Sequence, residues 1–127
     1  MLLVYLALGG ALGTILRYAL GGWVHSWAGV TFPWGTLVIN VVGSFVLGVT
    51  MRASQSLLLA PELRAFITIG LCGAFTTFST YSYEAFVLMQ KGEWTKAGLY
   101  AFGSLVIGVL AIAAGFITAA RMLRAGG

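Results

Sequence analysis

The sequence predicts an all-α membrane protein with four transmembrane helices, and three observations carry that expectation. Charged residues make up 8% of its 127 residues, against about 25% in a soluble domain. Hydrophobic residues make up 60%. The ten charges, Arg17, Arg52, Arg64, Lys91, Lys96, Arg121, Arg124, Glu62, Glu84 and Glu93, are spaced so that long uncharged blocks separate them. So few charges could not solvate a water-exposed surface. The composition therefore excludes an ordinary cytosolic enzyme, a disordered chain and a secreted disulfide scaffold. Cys72 is the single cysteine, so no intrachain disulfide exists. The net charge of +4 is spread along the chain; it suits anionic lipid headgroups and gives no dense patch for nucleic acid.

A helical span needs about 20 apolar residues, which places four spans at about 2–22, 33–52, 62–89 and 95–121 of a single domain, 1–127. The first opens with sixteen uncharged residues, Met1 to Leu16, and no basic cluster precedes it; it reads as a retained span, not a secretory signal. Pro33 and Pro61 stand where the second and third helices should begin, a position that tolerates proline. Glu62 then falls in a first turn, where the helix dipole favours a carboxylate. The third span is too long for one straight crossing, and Gly92 separates it from the fourth.

Trp23, Trp27, Trp34 and Trp94 all fall in or beside the first and third connections, on one side of the membrane. Aromatic belts are expected at both interfaces. Basic residues divide almost evenly, with Arg52, Arg64, Arg121 and Arg124 on one side and Lys91, Lys96 and the nearby Arg17 on the other. So weak a positive-inside bias permits insertion in both orientations, and an antiparallel pair would supply tryptophan to both interfaces. Gly9 and Gly13 form a small-xxx-small pair, and Gly43-Ser-Phe-Val-Leu-Gly48 echoes Gly103-Ser-Leu-Val-Ile-Gly108. Such spacings allow close helix approach, within the chain or between copies.

The chemistry concentrates in Gly70-Leu-Cys-Gly-Ala-Phe-Thr-Thr-Phe-Ser-Thr-Tyr-Ser-Tyr-Glu84. Five of the seven residues from Thr76 to Ser82 are Ser or Thr. At 100° per residue they would point in nearly every direction around a helix, so one neighbour cannot satisfy them. Hydroxyls can bond back to helical carbonyls, but so many together, after Gly70 and Gly73, predict a break at membrane depth, the kind of feature that builds ion sites. Asn40 is a second deep polar residue, able to serve an anion or cross-link helices. Ser44 and Ser104 add hydroxyls at similar depth. Arg17, near the end of the first span, would snorkel or draw anions into a vestibule. Glu84 needs a partner if buried, and His25 reads as an interfacial residue in a connection.

Three stretches, Gly9-Gly-Ala-Leu-Gly-Thr-Ile-Leu-Arg-Tyr18, Gly35 to Gly48 and Gly70 to Glu84, give the chain a resemblance, along nearly its whole length, to the Fluc (CrcB) fluoride channels. That resemblance implies a dual-topology antiparallel homodimer of four-helix subunits in the bacterial plasma (inner) membrane, with the third helix broken, two fluoride pores and a central structural sodium ion. The implied sodium ligands are the backbone carbonyls of Gly73 and Thr76. The implied fluoride pathway runs past Asn40, Phe78, Tyr81, Ser79, Thr80 and Ser104, with Arg17, Thr77 and Glu84 in vestibule or structural polar roles. Tyr81 stands where the family usually has phenylalanine; the edge of its ring is electropositive like that of phenylalanine. Implied partners are fluoride, a second copy and membrane lipid. No hydrolytic or redox constellation and no phosphate-binding loop is present, so the expectation is passive export of fluoride and not enzymatic activity. The competing class is a small antiparallel proton-coupled multidrug exporter. It needs a membrane-embedded carboxylate, which the first span lacks and only Glu84 could supply.

Overall fold

The computed structural model describes residues 1–126. Helix α1 spans Leu2–Ala28, α2 Trp34–Leu57, α3 Pro61–Ala65, α4 Gly73–Phe75, α5 Phe78–Gln90 and α6 Trp94–Ala125, with a π-helical segment, Phe66–Cys72, between α3 and α4. No strand forms among the described residues. Four stretches are long and apolar enough to cross a bilayer: α1, α2, the bent third run Pro61–Gln90, and α6. Much of the outer surface is apolar, including Leu99, Phe102, Leu105, Val106 and Val109 on α6, as expected of helices solvated by hydrocarbon.

Helices outrun the expected spans because interfacial residues continue the backbone ladder into the headgroup region. Helix α1 continues to Ala28, so Trp23, His25 and Trp27 occupy its last turns and His25 is not in a connection. Arg17 is accordingly about three turns inside that end, half-buried, deeper than a span ending at residue 22 implied. Pro33 caps α2 and Pro61 opens α3. Gly92 turns the chain into α6 with φ of +76°, a conformation costly for a residue bearing Cβ.

Two backbone-on-backbone crossings hold the bundle together. A Cβ on Gly9 would lie 2.5 Å from the Phe66 carbonyl oxygen, and one on Gly13 would collide with the Leu71 carbonyl; α1 therefore rests directly on the π-helical segment. A Cβ on Gly48 would collide with the Ile112 carbonyl and one on Gly115 with that of Phe45, seating α2 against α6. The Gly9–Gly13 pair and Gly48 thus pack within the chain. Gly103 meets nothing within 4 Å. A separate cluster of Ala85, Leu88, Ala97 and Tyr100 ties α5 to the start of α6.

Candidate functional site

The third span changes direction at two extended residues. Helix α4 ends at Phe75; Thr76 has φ −77° and ψ 158°, Thr77 has φ −147° and ψ 118°, and α5 starts at Phe78. An extended residue presents its N–H and C=O to the same side, as in a strand pair. The Asn40 side chain fills the place of the missing strand. Its Nδ2 donates to the Thr77 carbonyl at 3.2 Å and its Oδ1 accepts from the Thr77 amide at 2.8 Å.

The Thr77 hydroxyl in turn accepts from the Thr80 amide at 3.2 Å, the usual N-cap arrangement. These two bonds have a consequence for the carbonyls four residues back. In a continuous α-helix the Thr77 amide would bond to Gly73 and the Thr80 amide to Thr76. Both donors are taken elsewhere, leaving the Gly73 and Thr76 carbonyls without their helical partners. The Thr76 side chain does not restore one: its Oγ1 donates to the Cys72 carbonyl at 2.8 Å, as does its own amide at 3.0 Å, while its methyl rests against Gly43.

Gly73 and Thr76 both line a groove of about 530 Å³ between α2, the third span and α6. The groove brings together Asn40, Ser44, Gly73, Thr76, Thr77, Phe78, Tyr81 and Ser104. Ser79 and Thr80 are exposed on the first turn of α5 and do not line it. Nor do Arg17 and Glu84. Phe78 is 80% exposed, large for a ring meant to pack a core, and stands 5.8 Å from the Tyr81 ring. The Tyr81 hydroxyl donates to the Ala101 carbonyl at 2.6 Å, which pins the ring to α6. The Ser104 hydroxyl is buried without a hydrogen-bond partner, a state that costs about 1–3 kcal/mol until a ligand or water fills it.

Midway along α5, the Thr36 hydroxyl donates to Glu84 Oε1 at 2.5 Å, giving the carboxyl group the partner its depth requires. Tyr100, only 1% exposed, packs 5.2 Å from the Tyr81 ring and 5.5 Å from Phe32, and its hydroxyl too is buried and unbonded. Thr36 and Tyr100 escaped the sequence reading. A signal for both was present: Thr36 lies one helical turn before Asn40, and Tyr100 one turn before Ser104.

Among the described residues, no three His, Cys, Asp or Glu side chains converge, so a cation here would depend on backbone oxygens. Freed carbonyls are hard donors that suit an alkali cation. Two carbonyls on one chain make an incomplete shell for such an ion. For an anion the groove offers neutral donors, since Asn40 keeps one N–H unused after bonding Thr77.

The chain matches the family model described as CrcB-like protein, Camphor Resistance (CrcB), over residues 4–116. It is 55% identical over 104 residues to the fluoride-specific ion channel FluC of Thermus thermophilus, covering 82% of each chain. It is 46% identical over 119 residues to the protein of the same name from Geobacter sulfurreducens, covering 93% of this chain and 95% of that one. The Opitutus terrae protein of that name is 46% identical over 121 residues, with 93% and 92% covered.

Proposed function

The chain belongs to the CrcB family, and on that premise we infer that it is a fluoride-specific ion channel, a multi-pass membrane protein of the bacterial inner membrane that lets fluoride leave passively and relieves its toxicity. The identity of 55% to a fluoride-specific channel carries this reading; the family is one of channels and not of enzymes.

The finer reading starts from the groove. It is open along one face of the chain, and four helices that pack a core leave no room for a closed aqueous path within one subunit. A second copy, antiparallel to the first, would close the groove, and two such grooves would make two pores per dimer. Within each, the remaining Asn40 N–H and the Ser104 hydroxyl replace the water of a small, strongly hydrated anion, and the edges of Phe78 and Tyr81 supply positive ring potential without binding too tightly for release. Ser79 and Thr80, outside the groove in one chain, belong on this reading to the wall that the partner completes. Thr77 is structural: it receives the Asn40 clamp and caps α5. Arg17, outside the groove and well inside α1, acts on this reading at a distance, through the positive potential it adds along the anion's approach.

The two extended residues Thr76 and Thr77 serve as the family's break in the third helix. The Gly73 and Thr76 carbonyls of both copies would hold a structural sodium ion at the dimer centre. Its charge would offset the negative ends of the half-helices and add positive potential beside the path. Fluoride efflux from proteoliposomes, with chloride as the control, tests the function. Rapid fluoride release with chloride retained is the expected result, and proton-coupled transport of a lipophilic dye without fluoride flux would favour the exporter class instead.

A further inference from the structure

Beside the joint at Thr76 and Thr77 lies a second cavity of about 130 Å³, walled by Leu16 of α1, Val42 and Val46 of α2, and Leu71, Cys72 and Phe75 of the third span. No asparagine, serine, threonine or charged side chain lines it, in contrast to the fluoride groove. Water in such a space would lack the two to four polar partners that hold buried water.

The mouth of this cavity identifies its occupant. Leu16 is 44% and Val42 41% exposed, so the opening faces outward between α1 and α2. Leu16 lies about 21 Å along α1 from Leu2, and Val42 about 12 Å along α2 from Trp34, at 1.5 Å per residue. Both positions fall well inside the helices, at the depth of a hydrocarbon core about 30 Å thick. The molecules that reach an apolar opening at that depth are lipid tails.

We propose that this cavity is a binding site for the terminal segment of a membrane-lipid acyl chain. The chain end enters between Leu16 and Val42 and stops against the Phe75 ring. Burying methylene groups there, instead of leaving a void, recovers the dispersion contacts that an empty apolar space forfeits. The site also touches the joint. A Cβ on Gly43 would lie 3.1 Å from the Phe75 ring and would collide with the Thr76 methyl, so a seated chain backs the wall against which Thr76 rests. The proposal depends only on the membrane-spanning fold and stands apart from the fluoride reading.

The test uses crystals of the whole protein grown in a lipid mesophase doped with phosphatidylcholine brominated near the ends of its acyl chains. Anomalous scattering should show bromine between Leu16, Val46 and Phe75 in the unmodified protein. Val46→Phe, which fills the cavity from α2, should abolish that peak; Leu16→Phe provides the same loss from α1 if the first variant fails to assemble. Absence of bromine in the unmodified protein overturns the proposal. So does a bromine peak undiminished in the filled variants, a side chain of a second copy occupying the cavity, or a peak from pressurised xenon with none from bromine, which would mark a gas-sized void only.

Discussion

The Asn40 side chain grips Thr77 at both ends of that residue, accepting from its amide at 2.8 Å and donating to its carbonyl at 3.2 Å. A single amide thus does for an extended residue inside the membrane what a neighbouring strand does in a sheet. Asn40→Ala would orphan two backbone groups, each at about 1–3 kcal/mol. The expected outcome is loss of fluoride flux together with a lower melting temperature of the purified protein. Asn40→Asp keeps the acceptor but sets a carboxylate oxygen against the Thr77 carbonyl and a negative charge on the anion path, and should lower flux at least as far as Asn40→Ala.

Phe78→Ile should lower fluoride flux sharply while assembly persists. The ring is largely exposed in the subunit, so the packing loss should stay below about 1.5 kcal/mol. Comparison at matched amounts of reconstituted protein decides the matter, and normal flux would remove Phe78 from the pathway.

Tyr81→Phe should conserve flux. The hydroxyl is already committed to the Ala101 carbonyl, so its removal takes away one neutral hydrogen bond, about 0.5–1.5 kcal/mol, and leaves the ring edge in place. A melting shift with intact efflux is the expected pair of results; a collapse of efflux would mean that the latch to α6 sets the ring's position.

Thr36 and Glu84 should be energetically coupled. A double-mutant cycle of Thr36→Val and Glu84→Leu, read by denaturation of the purified protein, should return about 0.5–3 kcal/mol, the span from a neutral to a charge-assisted hydrogen bond. Glu84→Gln keeps an acceptor for the Thr36 hydroxyl and should be the mildest change at that position. Additivity would show that the contact contributes nothing.

The sodium reading separates from folding at Gly73. A Cβ there meets only the Thr68 carbonyl, at 3.9 Å, so Gly73→Ala should leave the subunit folded, and a larger Gly73→Val should impair dimerisation or flux by crowding the carbonyl cluster. Thr76→Ser keeps the hydroxyl bond to Cys72 and should be mild. Assembly and flux unchanged by replacing all sodium with N-methylglucamine would argue against the site.

Reporters fused to the C-terminus should reveal both orientations, because basic residues divide four to two between the two sides, with Arg17 well inside α1, a weak bias either way. Two or three lysines added at the C-terminus should force one orientation and depress flux until a copy of opposite bias is co-expressed. Full activity from one forced orientation would reject the antiparallel dimer.

Four membrane crossings were legible in the sequence because bilayer insertion depends on summed hydropathy along a segment, a local property that charge spacing and the prolines at residues 33 and 61 already delimit. The hydroxyl-rich run at 76–82 likewise announced itself by composition. Side-chain partnership was not legible in the same way. Which backbone atoms the Asn40 amide would meet depended on how α2 crosses the third span, and the crossing turns it onto Thr77. The Gly9–Gly13 spacing fitted internal packing and association equally well until the Phe66 and Leu71 carbonyls came to lie against it. Thr36 acquired its role from Glu84, which is 48 residues away in the chain. Periodicity tells which residues share a face of a helix, but hydrogen bonds need donor and acceptor within about 3 Å and aligned, and only the packing of one helix on another brings distant residues to that distance.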